Sequence, residues 1–587
     1  MQSVAQRMAE NCQLGLADLA NGRLAEADRR FNEMLEFCPD FAPALYALGV
    51  SARQQRRTAD ALSYATRALA ITPQAPRAHL LMARALCDLD RHAQAAFHYR
   101  TAIAHEPTNT HTRLELAAVA AKLGEDAETE AQYRATLALC PDDAAAFLRL
   151  TEWLRRARRG AEAGALCLQR LTDTPNDPEA AFELGNILYE AERYDEAVAA
   201  FRAALQRQPD HAGALENLGS TLLELGQLAD AEFYLRQARD AHPDRPGPPN
   251  GLGASLRQRG DIAGAEACFR TALSLAPDHA EAACNLATTL LLTERYSEGW
   301  PLLEARWGTA GMPHRGFAAP LWQGERLAGR RLLLHAEQGF GDTLQFCRFI
   351  PQIADSHLIL EVPAPLARLM RQSFPELAQL VAHGDPLPPF DLHCPLMSLP
   401  LMLGQHGPNF GAKPAYLVAD AEERAIWRQR LSALPGRRVG LVWQGNPRLA
   451  SMRRRRDLPT EYLPHLASLP DISFVSLQKS VPVDGLGLAM VDWTDTLDDL
   501  AATAALVAEL DLVIGVDTAV VHLAGALGRP VWLLNRFDTC WRWLLNRDDS
   551  PWYPSLKQIR QPTQGDWPSV INELRHRLSL ERLSLSR

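Results

Sequence analysis

Long apolar runs are missing from this chain of 587 residues: no stretch approaches the ~18 apolar residues that a membrane-spanning helix needs. The opening ten residues, MQSVAQRMAE, lack the apolar core of a secretory leader. Cysteine is sparse and scattered. Ten are present, with no C-x-x-C pair and no metal-ligand spacing, which argues against a disulfide framework and a zinc site. They read as small buried side chains in a reducing compartment, and the expected location is the cytoplasm. Positive charge is not in excess. The net charge of -9 speaks against general nucleic-acid binding. A G-x-x-x-x-G-K-[ST] loop is also absent, which disfavours ATPase or kinase chemistry.

What is present is a register. Pro39, Pro73, Pro107, Pro141, Pro175, Pro209, Pro243 and Pro277 stand 34 residues apart without a skip. That interval is the length of one tetratricopeptide unit, two helices and their turns. Small residues share the register. Gly15, Gly49, Ala83, Ala117, Thr151, Gly185, Gly219 and Gly253 lie 24 positions before each proline. Twelve before it lie Ala27, Ala61, Ala95, Thr129, Ala163, Ala197, Ala231 and Ala265. Side chains this small let two helices approach closely. Proline ends each second helix, because it cannot extend a helix and restricts the residue before it. A ninth unit starts around Leu286 and reaches Gly299 without its proline; Trp300 and Trp307 then predict a capping helix docked on the next domain. A repeat array offers a long concave surface, so it is expected to bind a protein or peptide, or else to act as a spacer. Chemistry, if any, belongs after Pro277.

Beyond the repeats, short apolar runs alternate with helical patterns in two blocks. Strands are expected at 331–336 and 357–362, then at 438–443, 473–477, 511–515 and 530–534. Helices are expected at 343–353, 364–373, 498–509 and from Thr518 to Leu527, with 383–415 reading as loops and linker. Such alternation predicts parallel sheets, whose ligands sit where strand ends enter helices.

Three such loops carry candidate chemistry. In the first, Gly339 and Gly341 allow close backbone approach, and Asp342 sits at a helix start. Asp342 is a helix cap or a general base. In the second, Asp517 and Thr518 precede a helix whose amides would meet a phosphate, and His522 lies one turn on. The plain alternatives are a cap for Asp517 and a packed core histidine for His522. In the third, Trp443 to Asn446 ends a strand before the arginines 453–456, and Gln478 and Lys479 end the next strand. Arginine can clamp a diphosphate, although a charge run is also an ordinary solvated loop. Taken together the three suggest a nucleotide-diphosphate site.

The strings HAEQGFGDTLQFCRF, GLVWQGNP, SLQK, GVDTAVVHLAGALGRPVWLL and WRWLLNRDDSPWYP resemble bacterial tetratricopeptide proteins that bear a glycosyltransferase domain. That domain is similar to the ADP-heptose:lipopolysaccharide heptosyltransferases (glycosyltransferase family 9), and the joint architecture is similar to O-GlcNAc transferase. The resemblance implies an α superhelix over 1-307 and an α/β GT-B fold of two Rossmann-like lobes. The acceptor lobe would span 308-415 and the nucleotide-sugar lobe 416-587. It implies inverting transfer from a nucleotide sugar, with no cofactor and no required metal. Gly341-Asp342 matches the family's Gly-Asp turn, whose aspartate is a proposed base. Asp517, Thr518, His522 and Leu523 match its donor-contact segment, with Ala519 where the family has glycine. Arg454, Arg456 and Lys479 correspond as a set to its donor-phosphate cations.

One departure shapes the expected partner. The asparagine ladder of O-GlcNAc transferase corresponds here to Gln13, Ala47, Leu81, Glu115, Arg149, Glu183, Asn217, Gly251 and Asn285. Only two of these are asparagine, which fits a chosen folded partner better than any extended peptide. The expectation is a glycosyltransferase acting on a Ser or Thr hydroxyl of a docked protein, for instance a flagellin-like secreted subunit. The alternatives are a repeat adaptor with a degenerate transferase domain and a saccharide-directed transferase.

Overall fold

The computed structural model describes residues 4–309, 312, 315–353, 357–405, 407, 414–445 and 455–585. The chain divides into two compact units, Met1–Ala191 and Glu192–Arg587.

The first unit is made of helix pairs in the 34-residue register. Its second helices, Leu24–Phe37, Thr58–Ile71, His92–His105, Asp126–Leu139 and Gly160–Asp173, each stop two residues before a register proline. The next helix starts from a cap in the same register. Asn109, Asp143 and Asp177 each accept the backbone N–H three residues on, at 2.9–3.1 Å. The small positions are required by space. A Cβ on Gly15 would fall 2.8 Å from the Phe31 ring, and one on Gly49 would fall 2.4 Å from Leu81 Cδ2. Ala27, Ala61, Ala95 and Ala163 are fully buried.

The second unit begins with the same pattern. Tyr194–Arg207, Leu228–Ala241 and Ile262–Leu275 precede Pro209, Pro243 and Pro277. Gly219 and Gly253 face Leu235 and Phe269 as Gly15 faces Phe31. The last pair is Ala280–Leu292 with a short helix, Tyr296–Leu303, which tightens into a 3-10 turn over Glu304–Gly308. Trp300 of that short helix is buried, packs edge-on against Phe346, Trp541 and Trp552, and donates its Nε1–H to Gln405 O at 3.0 Å.

Two parallel sheets follow. The first contains β1 (Leu332–His335), β2 (Leu358–Val362), β3 (Gln379–Ala382) and β4 (Leu392–Pro395), in the order β3-β2-β1-β4. The second contains β5 (Arg437–Val442), β6 (Ile472–Ser476), β7 (Met490–Val491), β8 (Leu512–Gly515), β9 (Val531–Asn535) and β10 (Leu556–Arg560). Its order is β10-β9-β8-β5-β6-β7. β1, β2, β8 and β9 are buried along their whole length, and the polar residues they carry, His335, Glu361 and Asn535, are buried with them.

Two expectations need correction. Residues 383–415 are not loop throughout, since they hold β4, a 3-10 turn Leu396–Ser398 and the helix Leu399–Met402. His393 and Pro395 break the apolar run there, so the pattern hid the strand. The helix expected at 343–353 is Phe340–Phe346, continued as a 3-10 turn Cys347–Gln352 that contains Pro351. It starts earlier because Asp342 Oδ2 accepts the Gly339 N–H at 3.1 Å and so fixes the first turn.

Candidate functional site

β1 ends at His335, and the chain turns through Gly339 into the helix Phe340–Phe346. β8 ends at Gly515 and turns through Thr518 into the helix Ala519–Ala526. The two helices meet where Gly341 touches His522; a Cβ on Gly341 would stand 2.9 Å from His522 Cδ2. A cavity of about 740 Å³ opens beside this contact, large enough for a nucleotide-sized ligand. The turn of β1 contributes Gly339, Gly341 and Asp342, and the turn of β8 contributes Asp517, Thr518 and His522. The remaining wall is cationic: Arg456, Arg536 and Arg542, with Gly445 beside Arg456.

The groups around the cavity differ in how far their bonding is satisfied. Arg456 is nine-tenths buried; its Nε donates to Asp457 Oδ1 at 3.0 Å, while its Nη2 has no partner among the described residues. Thr518 is the cap residue of Ala519–Ala526, yet its hydroxyl makes no cap bond and is also buried with no partner among the described residues. A buried polar atom left unsatisfied costs about 1–3 kcal/mol, so both groups are available to hydrogen-bond a molecule in the cavity. His522, by contrast, is held. Its Nδ1 is 2.8 Å from the Tyr553 hydroxyl and its ring stacks on Trp543 at 5.1 Å. Its Nε2 lies 3.7 Å from Asp517 Oδ1. Burial pushes the Asp517 carboxyl up, but the bond and charge of His522, with Arg542 beyond, bring it down to about 2. Asp342 pairs with Arg542 Nη2 through Oδ1. Burial works against the Arg542 guanidinium's charge; Asp342, Cys540 and Asp517 hold its pKa above the usual value.

Of the residues singled out in the sequence, Gly339, Gly341, Asp342, Arg456, Asp517, Thr518 and His522 line this one cavity. Trp443 does not: it is fully buried in the core of the second sheet with Leu463 and Ile514. Gln478 acts one step behind the cavity, its Oε1 accepting the N–H groups of Trp443 at 3.2 Å and Gln444 at 2.8 Å. Lys479 is turned elsewhere, its Nζ donating to Leu497 O at 2.6 Å. Asn446 and Arg454 lie outside the described residues. Sequence reasoning gave no role to Arg536 or Arg542. Arg542 stands in the string WRWLLNRDDSPWYP, so the signal was visible as a motif without a function.

Among the described residues no helix is long and apolar enough to cross a membrane, and no group of three or more His, Cys, Asp or Glu could hold a metal ion.

The tetratricopeptide repeat family model matches residues 12–76, 182–246 and 250–305. The model of glycosyltransferase family 9 (heptosyltransferase) matches 498–536, a short stretch that includes Asp517, Thr518, His522 and Arg536. Together these matches point to a glycosyltransferase-like protein whose repeats support protein–protein interaction. Protein FlbA of Caulobacter vibrioides is 29% identical over 320 residues, which cover 49% of this chain and 53% of that protein. The chain thus spans about half the length of the curated relative it matches. Among solved structures, a tetratricopeptide repeat protein from Parabacteroides merdae covers 43% of this chain and 99% of its own, at 15% identity and a TM-score of 0.31. MamA from Desulfovibrio magneticus covers 29% and 98%, at 20% identity and a TM-score of 0.26.

Proposed function

We propose that the chain is a glycosyltransferase of GT-B type, moving a sugar from a nucleotide-sugar donor to a hydroxyl of a protein docked on the repeats. One observation carries this reading. Asp342, the Thr518 hydroxyl and Arg456 Nη2, the last two without a partner among the described residues, share a single cavity at the carboxyl ends of two parallel strands. A carboxylate on one side and anion-seeking groups on the other are what sugar transfer from a nucleotide needs.

In this reading the donor's phosphate lies between Arg456 and the first turn of Ala519–Ala526. The leading amides of that helix have no intrahelical partner and carry partial positive charge. Asp342 takes the proton of the acceptor hydroxyl. The freed oxygen attacks the anomeric carbon from the face opposite the phosphate, the bond from that carbon to the phosphate oxygen breaks, and the configuration inverts. The electron pair stays on the departing nucleotide, where Arg456 and the helix amides stabilise it. No metal is called upon. The four-stranded sheet would be the acceptor lobe and the six-stranded sheet the donor lobe. Lys479 is not needed in this reading, since its ammonium donates to Leu497 O and it does not line the cavity. Gln478 serves by shaping the loop that carries Gly445.

The test is Asp342→Asn, assayed with a panel of nucleotide sugars for nucleotide release in the presence of proteins captured by the repeats. Turnover should fall by at least a hundredfold while nucleotide binding survives. Unchanged turnover removes Asp342 from the mechanism. If no nucleotide or nucleotide sugar shifts the melting temperature of the wild-type chain, the adaptor reading takes its place.

A further inference from the structure

We infer that Arg542 is a two-position switch, held by Asp342 when the cavity is empty and taken over by the donor's phosphate when it fills, so that donor binding is what releases the base. The inference rests on the reading of the cavity as a nucleotide-sugar site.

As the chain stands, Asp342 is badly placed to accept a proton. Oδ2 takes the Gly339 N–H at 3.1 Å and Oδ1 takes Arg542 Nη2. Both oxygens are therefore already hydrogen-bonded. While the guanidinium holds Oδ1, an acceptor hydroxyl has to share that oxygen with it. Arg542 is built to let go without losing its place. Its Nε donates to Gln345 Oε1 at 2.7 Å, its Nη1 lies 3.2 Å from Cys540 Sγ, and its Cζ sits 4.5 Å over the Trp541 ring. These three contacts anchor the side chain, and Nη2 is the end that exchanges one partner for another. Asp342 and Arg542 are each about 15% exposed at the cavity wall, so an incoming anion can reach them. A donor diphosphate carries two negative charges against the carboxylate's one, so it competes for the Nη2 N–H groups.

The transfer step then balances. Nη2 moves from Oδ1 to a phosphate oxygen, and Oδ1 receives the acceptor's proton. The bond from acceptor oxygen to anomeric carbon forms as the bond to the phosphate oxygen breaks. The charge that develops on that oxygen meets Arg542 as well as Arg456. Arg542 is therefore a catalytic residue in its second position and a restraint on Asp342 in its first.

A thermodynamic cycle on the full-length chain tests this. Binding of UDP, GDP, ADP, dTDP and CMP is measured by calorimetry for wild type, Asp342→Asn, Arg542→Lys and the double variant, with circular dichroism as the folding check. Lysine keeps the charge but cannot span Gln345, Cys540 and Asp342 together. In the wild-type background Asp342→Asn frees Arg542, and the nucleotide that binds should bind roughly three- to tenfold more tightly. In the Arg542→Lys background that gain should largely vanish, with affinity well below wild type. An equal gain in both backgrounds means that Asp342 only repels the phosphate, and the switch is overturned. No gain in either overturns it too. If the wild-type chain binds none of the five, the nucleotide-sugar reading itself fails and the switch fails with it.

Discussion

Gly341 and Gly445 are needed at the cavity for room rather than for backbone freedom. A Cβ on Gly445 would lie 1.9 Å from Arg456 Nη2, so the guanidinium rests directly on the main chain of the loop after β5. Gly445→Ala must therefore push Arg456 out of the cavity wall. We expect nucleotide affinity to fall about tenfold with a melting temperature close to wild type, measured side by side by calorimetry and thermal unfolding. Affinity that stays put would remove Arg456 from the site. At this scale the sequence was half readable. Turn residues such as Gly341, Asp342, Thr518 and His522 declare themselves because a glycine, a cap and a helix start are local patterns. Trp443 misled, since a strand-end position does not say which face its side chain takes, and here it enters the core. Arg542 was not legible because its value comes from Asp342, 200 residues away in the chain, and Arg536 because only the fold brings it to the cavity wall.

Among the elements, buried parallel strands were legible wherever three or more apolar residues ran together, as in β1, β2 and β8. β4 was not, and its histidine explains part of the reason. His393 Nδ1 stands 3.2 Å from His335 Nε2, so two polar residues meet across neighbouring strands. Burial, then His393, Arg315, Arg306 and His383, push the His335 pKa from 6.5 down to about 3. The folded chain thus keeps this imidazole neutral while the unfolded chain protonates it below pH 6.5. Between those values the unfolded state binds the extra proton, so stability falls as pH falls. One such proton contributes about 1.4 kcal/mol per pH unit. Urea unfolding of His335→Gln across that window should show a shallower loss of stability than wild type by about this slope. An unchanged slope would mean that His335 protonates normally in the folded chain.

For the whole molecule, the informative feature is how the repeat pattern stops. The proline register ends at Pro277, and the second helix of the next pair is cut to Tyr296–Leu303, with Pro301 inside it. The side chains freed from repeat packing join a different core: Leu291, Tyr296, Trp300 and Leu303 share one buried cluster with Leu334, Phe346, Trp541 and Trp552. The following turn adds a polar tie. Arg306, buried, binds Glu337 through Nε at 2.9 Å and Nη2 at 2.8 Å, and Nη2 also reaches Ser398 Oγ at 2.8 Å. Glu337 opens the turn that carries Gly339, Gly341 and Asp342, so the last repeat holds one wall of the cavity. The register break and the tryptophans foretold a docked cap; its partners lie 46 to 252 residues away from Trp300 and could only be seen in three dimensions. If the last repeat and the sheets are one cooperative body, damage at Trp300 must spread both ways. Trp300→Ala removes a fully buried indole and should cost about 3–5 kcal/mol. Trp300→Phe keeps most of the packing, loses the bond to Gln405 O, and should cost less. Hydrogen exchange in Trp300→Ala should quicken in the repeat helix Ala280–Leu292 and in the cavity helix Phe340–Phe346 alike, because both pack on the same indole cluster. Faster exchange confined to the repeat helix would show that the cap is a passive end, and that the cavity wall stands without it.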